Sequence, residues 1–177
     1  MEAFCHVVDQ LEPYTSFFEM CDLFGLGEPF LDPYLCDRIG ILKQAGFKNL
    51  AFSTNADLMD EKKQCEILES AIETIIFSVD GMDKETHESI RVGTSFDRVV
   101  SNIQNLIRKR DAGKFKTRFI LRMIQQDINR DQWPAYREFW QSLLSPEKRD
   151  MVTSYHMHNW AGKVAEKSSV LQNVHIP

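Results

Sequence analysis

The sequence predicts an α/β protein in which parallel strands alternate with helices. Three observations carry that expectation. Short apolar segments recur at intervals of about thirty residues. Between them lie one or two segments whose apolar residues fall at helical spacing. The first three strand segments each end in a compact polar turn. This is the rhythm of repeated βα units around a parallel sheet. Right-handed crossovers leave two arrangements open, a doubly wound sheet or an arc of a barrel, and both put ligands beyond the carboxyl ends of the strands.

The chain opens on a predicted helix, because Phe4, Val7, Val8 and Leu11 recur at helical spacing until Pro13 ends the pattern. Phe17 to Phe24 reads as the first strand and delivers the turn Gly25-Leu26-Gly27-Glu28-Pro29. Asp32 and Pro33 predict an N-cap and first-turn proline for a helix carrying Leu35, Ile39 and Leu42, which Gly46 closes. Phe47 to Ser53 reads as the second strand, followed by a charged helix from Asp60 to Ala71 with Ile67 and Leu68 inward. Thr74 to Val79, rich in β-branched residues, reads as the third. Asp83 caps a short helix through Ile90, and Ser95 caps a longer one carrying Phe96, Val99, Ile103 and Leu106. Arg108-Lys109-Arg110 suits the end of that helix, where cations meet the negative end of the dipole. Lys116 to Ile124 reads as the fourth strand. A helix from near Pro134 spaces Trp133, Tyr136, Trp140 and Leu144 for core packing, and Met151 to Tyr155 makes the fifth strand. After Gly162 the periodicity fades.

With 177 residues, 43% hydrophobic and 27% charged, the chain has the composition of a globular domain with one sizeable core. A net charge of -5 and the lack of a Lys/Arg-rich block argue against a nucleic-acid partner, since phosphate binding needs clustered cations. Ile75-Ile76-Phe77 and Phe119-Ile120-Leu121 are far too short to span a bilayer, and Met1-Glu2-Ala3-Phe4 lacks the basic start and apolar stretch of a signal peptide. A cytoplasmic protein with no membrane partner is expected. Cys5, Cys21, Cys36 and Cys65 form no short chelating pair and read as reduced, mostly buried small hydrophobes.

The strand ends hold the chemistry. Gly25 and Gly27 let backbone approach a ligand closely, Glu28 offers an acceptor to an ammonium group, and Pro29 stiffens the exit. The second strand ends in Ser53-Thr54-Asn55 and the third in Ser78-Val79-Asp80-Gly81. Three successive polar ends converge on one rim, suited to a ligand with an ammonium, a sugar and a carboxylate.

Those strand ends, with Glu85-Thr86-His87-Glu88, Ile90-Arg91, Ser95-Phe96, Asn129 and His158-Asn159-Trp160-Ala161-Gly162, resemble the radical S-adenosylmethionine (radical SAM) superfamily over nearly the whole chain. The resemblance is to the branch that often carries an extra C-terminal cluster module, the SPASM-associated branch. It implies a partial (β/α)6 TIM-like barrel with parallel strands, here with its first βα unit incomplete. It also implies S-adenosyl-L-methionine and a [4Fe-4S] cluster as cofactors, with the hard chemistry supplied by the cofactor. By resemblance, Gly27 and Glu28 contact the methionine amino group, Ser78 a ribose hydroxyl and Arg91 the methionine carboxylate. Ser53 and Asn55 line the same rim, Asp80 faces ligand or substrate, and backbone near Leu121 and Met123 lies against the adenine. The implied partners are a peptide, protein or small-molecule substrate and an electron donor such as flavodoxin or ferredoxin.

The chain departs from the family pattern in having no CxxxCxxC loop and no cysteine after Cys65. It reads as an internal piece of a longer enzyme, with a core over residues 1–165 and a tail, or the start of a further module, over 166–177. An isolated arc is expected to dimerise or aggregate through its exposed edge. Two alternatives stand beside the enzyme. One is a non-catalytic module that binds S-adenosylmethionine or a nucleoside, or serves as a scaffold. The other is a βα-barrel lyase with His156 or His158 as general base, which lacks a matching nucleophile or metal constellation. His156 and His158 as an i, i+2 pair have no third ligand nearby in sequence.

Overall fold

The computed structural model describes residues 1–23 and 25–157. Five strands, all parallel, form one sheet in the order β1 to β5: β1 Cys21–Asp22, β2 Leu50–Thr54, β3 Thr74–Ser78, β4 Arg118–Gln125 and β5 Met151–His156. The consecutive order decides between the two arrangements. A doubly wound sheet reverses its strand order at a switch point. Successive right-handed crossovers in one direction instead put the helices on one face and curl the sheet into a barrel arc. The fold is a partial TIM-like α/β barrel.

The helices are α1 Glu2–Leu11, α2 Leu35–Gln44, α3 Glu61–Glu69, α4 Lys84–Ile90, α5 Phe96–Ala112 and α6 Trp133–Leu143. Their apolar stripes and one face of the sheet make the core, with Ile39, Ile67, Ile103 and Trp140 packed with Phe52, Phe77 and Phe119. Phe77 and Phe119 meet edge-on at 5.3 Å between ring centroids. The two-residue period of β4 sorts its side chains. Phe119, Leu121 and Met123 are fully buried in that core, while Ile120, Arg122 and Ile124 stand on the opposite, inner face of the arc.

Most predicted elements stand within a few residues, and local chemistry explains why. Asp60 and Asp83 cap α3 and α4 through side-chain acceptors to the Lys63 and Thr86 N–H groups. Gly46, at φ +92°, ends α2 in a conformation that side chains rarely adopt. Ser95 occupies the N-cap of α5 without a capping side-chain bond; Glu88 accepts from the Phe96 N–H instead.

Three expectations are corrected. The first strand shrinks from Phe17–Phe24 to Cys21–Asp22, because Pro13 carries the chain on into a 3-10 helix over Glu12–Phe17 and β1 has only β2 as a neighbour in the described sheet. Phe17, at the end of that 3-10 helix, is 81% exposed. Asp32 does not cap α2 directly. It accepts from the Tyr34 N–H and Arg38 Nε in a turn, and α2 begins at Leu35. The cysteines are not mostly buried: Cys5, Cys21 and Cys36 are half-buried and Cys65 is exposed. Burial, with Glu66 and Asp37 nearby, pushes the Cys36 thiol up to about 11, so it stays protonated at neutral pH. Lys109 and Arg110 stand in the last turn of α5 as expected, and Arg110 is in addition fully buried against Asp150.

Candidate functional site at the strand ends

The loop after β1 is exposed at Gly25, Leu26 and Gly27, and Gly27 takes φ +136°, which the absence of a Cβ permits. Glu28 does not project from this loop as an unengaged acceptor. Its Oε1 accepts from the Phe30 N–H and the Thr54 hydroxyl, and its Oε2 from the Asn55 N–H at 2.8 Å. Glu28 thus clamps the glycine loop to the end of β2. Pro29 is buried and opens a one-turn 3-10 helix, Pro29–Leu31.

At the ends of β2 and β3, Ser53 and Ser78 stand side by side with their hydroxyls 3.0 Å apart. The Asn55 side-chain Oδ1 is used locally, accepting from the Asp57 N–H. Asp57 receives Arg98 on both oxygens and the Ser95 N–H. Burial works to raise the Asp57 carboxyl, but these donors outweigh it and hold it below the usual range.

Asp80 is 2% exposed, so it does not face an open ligand site; it organises one. Its Oδ1 accepts from the Ile124 N–H at 2.7 Å and its Oδ2 from Arg91 Nε at 2.7 Å. The fully buried Asn129 amide donates to the Asp80 and Ile124 carbonyls, so the ends of β3 and β4 are tied twice. Arg91, with 27% of its side chain exposed, is thereby held at the rim by Nε. Gly81 is required by close approach, since a Cβ there would meet the His87 backbone nitrogen at 2.7 Å.

His87 is fully buried and its Nδ1 accepts from the Asp80 N–H, which leaves the proton on Nε2. Burial lowers its pKa, Arg91 lowers it further, and Asp80, Glu88 and Asp57 oppose them. The folded value lies below the ordinary value of about 6.5, so this histidine's contribution to stability is complete above that pH and is lost as pH falls through the folded value. The urea midpoint is therefore expected to drop between pH 7 and pH 5, and His87→Asn, which keeps an acceptor near Nδ1, is expected to flatten that dependence. An unchanged slope in the variant would assign the acid sensitivity elsewhere.

Leu121 and Met123 are fully buried on the helix side, so their side chains do not reach the inner face. Arg122 between them does, and the sequence reading passed over it; an arginine in strand alternation with Phe119, Leu121 and Met123 is the signal that marks it. Thr54 and the Asp57–Arg98 pair also support the site and are not marked by sequence, because their partners are 26 and 41 residues away; His87, seven residues from its partner Asp80, gives no pattern that sets it apart from an ordinary helix residue. His156 is exposed, and His158 to Gly162 lie outside the described residues.

The sequence profile of the Radical SAM superfamily matches residues 21–130. The chain belongs to this superfamily. Solved structures agree at the level of fold. A domain of pyruvate-formate lyase-activating enzyme from Bacteroides vulgatus matches with 15% identity and TM-score 0.52, over 77% of this chain and 98% of that one. Streptococcus suis SuiB bound to precursor peptide SuiA matches with 16% identity and TM-score 0.56, over 80% of this chain and 30% of SuiB. SuiB bound to S-adenosylmethionine matches with 16% identity and TM-score 0.53, over 80% and 31%. This chain thus spans about a third of SuiB's length. No curated protein matches the sequence.

Radical SAM membership implies S-adenosylmethionine and a [4Fe-4S] cluster. This chain's cysteines do not fit the cluster. They sit on α1, β1, α2 and α3, and among the described residues no three His, Cys, Asp or Glu side chains converge as metal ligands. Among the described residues, no helix is long and apolar enough to cross a membrane.

Proposed function

We propose that this chain provides the S-adenosylmethionine-binding rim of a radical SAM enzyme of the SPASM-associated branch, acting in the cytoplasm on a peptide or protein. The core of that unit is residues 1–165, with residues 166–177 a tail or the start of a further module. One observation carries the reading: Arg91 is fixed at the strand-end rim by the buried Asp80, two residues beyond the Ser53–Ser78 hydroxyl pair. A guanidinium so held presents its remaining N–H groups to a carboxylate, and paired hydroxyls suit a ribose.

In this reading the backbone of Gly25 and Gly27 approaches the methionine amino group, Glu28 and Pro29 hold the loop that does so, and Arg91 binds the methionine carboxylate. Ser78 binds the ribose, Ser53 and Asn55 line the rim, and backbone at Leu121 and Met123 borders the adenine. Asp80 is a positioning residue. When bound beside a reduced cluster, S-adenosylmethionine supplies a radical able to abstract hydrogen. The cluster would be held by thiolates other than Cys5, Cys21, Cys36 and Cys65. A peptide substrate is favoured by the likeness to SuiB, which was solved with a precursor peptide, and flavodoxin or ferredoxin is the electron donor.

Calorimetry of the 177-residue chain with S-adenosylmethionine tests this reading. Arg91→Gln is expected to weaken binding about tenfold or more, the effect of losing one charge-assisted bidentate contact. Lys62→Gln, on the exposed side of α3, is expected to leave it unchanged. No binding by the wild type, or equal binding by Arg91→Gln, would sink the proposal. The second reading, a non-catalytic binding or scaffold module, is favoured by the missing set of cluster ligands among the described residues. Binding of S-adenosylmethionine with no 5'-deoxyadenosine formed after iron–sulfide reconstitution and dithionite would favour it.

A further inference from the structure

Arg122 lies on the inner face of β4, in register with Ser78 of β3 and Thr153 of β5. Tyr155, on the same face of β5, holds its ring centroid 5.0 Å from the guanidinium carbon, a cation–π contact that steers the side chain across the strand ends. Arg122 Nε and Thr153 Oγ1 are both shielded from solvent, and among the described residues neither has a hydrogen-bond partner. Arg38, Arg91, Arg98 and Arg110 each meet a carboxylate, whereas Arg122 meets none among the described residues. A shielded guanidinium N–H and a shielded hydroxyl with no partner are unfavourable unless something else supplies the acceptors.

We infer that Arg122 and Thr153 form a subsite for a substrate carboxylate, separate from the rim position at Arg91. The inference rests on the function proposed above. A planar guanidinium fork matches two carboxylate oxygens, and Tyr155 packed against the guanidinium favours an in-plane partner at its edge. The hydroxyl adds a third donor. S-adenosylmethionine carries one carboxylate, and Arg91, held by Asp80, is assigned to it. The Arg122 guanidinium therefore meets a second carboxylate, that of an acidic residue in a peptide.

The test uses two peptides, Ala-Glu-Glu-Ala and Ala-Gln-Gln-Ala, titrated into the 177-residue chain with and without saturating S-adenosylmethionine. The acidic peptide is expected to bind about tenfold tighter than its amide counterpart. Arg122→Gln is expected to abolish that preference while leaving S-adenosylmethionine affinity unchanged, and Arg122→Lys to keep only part of it, because it retains charge without the fork. Matching urea midpoints guard against misfolding. Equal binding of the two peptides by the wild type overturns the inference. So does an Arg122→Gln variant that loses S-adenosylmethionine and keeps the acidic preference, which would give Arg122 to the cofactor. If the wild type binds no S-adenosylmethionine yet keeps an Arg122-dependent acidic preference, the carboxylate subsite stands and the function proposed above falls.

Discussion

Replacing Asp150 with alanine is expected to destabilise the protein by about 3–5 kcal/mol, the range for stranding one member of a buried ion pair. Both side chains are inaccessible: Arg110 donates to both Asp150 oxygens, at 2.7 and 2.8 Å. Asp150 also accepts from the Phe119 N–H at 2.8 Å and the Ser145 N–H at 2.9 Å. One carboxylate thus joins the end of α5, the start of β4 and the segment between α6 and β5. The Arg110 guanidinium carbon lies 4.2 Å from the Phe119 ring centroid, so removing Asp150 leaves a buried cation against an aromatic core with only Asp111 at Nε and the Thr117 carbonyl as acceptors. Urea unfolding measures the loss. A double variant, Arg110→Met with Asp150→Leu, is expected to recover much of it, because no charge is then left buried. A loss under about 1 kcal/mol for Asp150→Ala would mean that solvent reaches Arg110 and the pair is not structural.

The second large effect is at Asp80, where stability and ligand binding separate. Asp80→Ala removes the acceptor for both the Ile124 N–H and Arg91 Nε. It is expected to cost about 2–4 kcal/mol, since a buried N–H and a cation lose their partner together. Asp80→Asn keeps a neutral acceptor for Ile124, so the urea midpoint falls less. The amide cannot anchor Arg91 with charge, and S-adenosylmethionine affinity is expected to fall by about tenfold, as for Arg91→Gln. Wild-type affinity in a folded Asp80→Asn protein would show that Arg91 needs no placement by this carboxylate. The two substitutions together separate holding the strand ends from presenting the guanidinium.

Asp80 also marks how far the sequence could be read. It was assigned to the ligand rim, and it lies at the end of β3 as expected, yet its side chain is turned inward. Its partner Ile124 is 44 residues away, and a hydrogen bond to a backbone N–H on another strand leaves no trace in side-chain identity. Glu28 is similar. The glycine-Glu-Pro turn was legible, but the Thr54 hydroxyl that engages the carboxylate is 26 residues on. Asp150 fell in an unremarked turn, and Arg110, 40 residues earlier, resembled an ordinary basic helix end. The first strand was overextended because apolar residues preceding a strand read as part of it, whereas backbone pairing with Leu50 and Ala51 limits β1 to two residues. Arg122 was legible in principle, through its place in strand alternation.

The alternation of strands and helices, the caps at Asp60 and Asp83, the glycine turn after β1 and the polar strand ends are all legible in the residues alone. Each depends on side-chain period or on neighbours within a few residues, so local chemistry is enough. The consecutive strand order that makes the sheet a barrel arc, the inward turn of Asp80 that leaves Arg91 at the rim, and the Arg110–Asp150 pair emerge only in the folded chain. These depend on which distant segments the closing sheet brings together, and backbone pairing between parallel strands is set by packing of the whole arc rather than by any one residue.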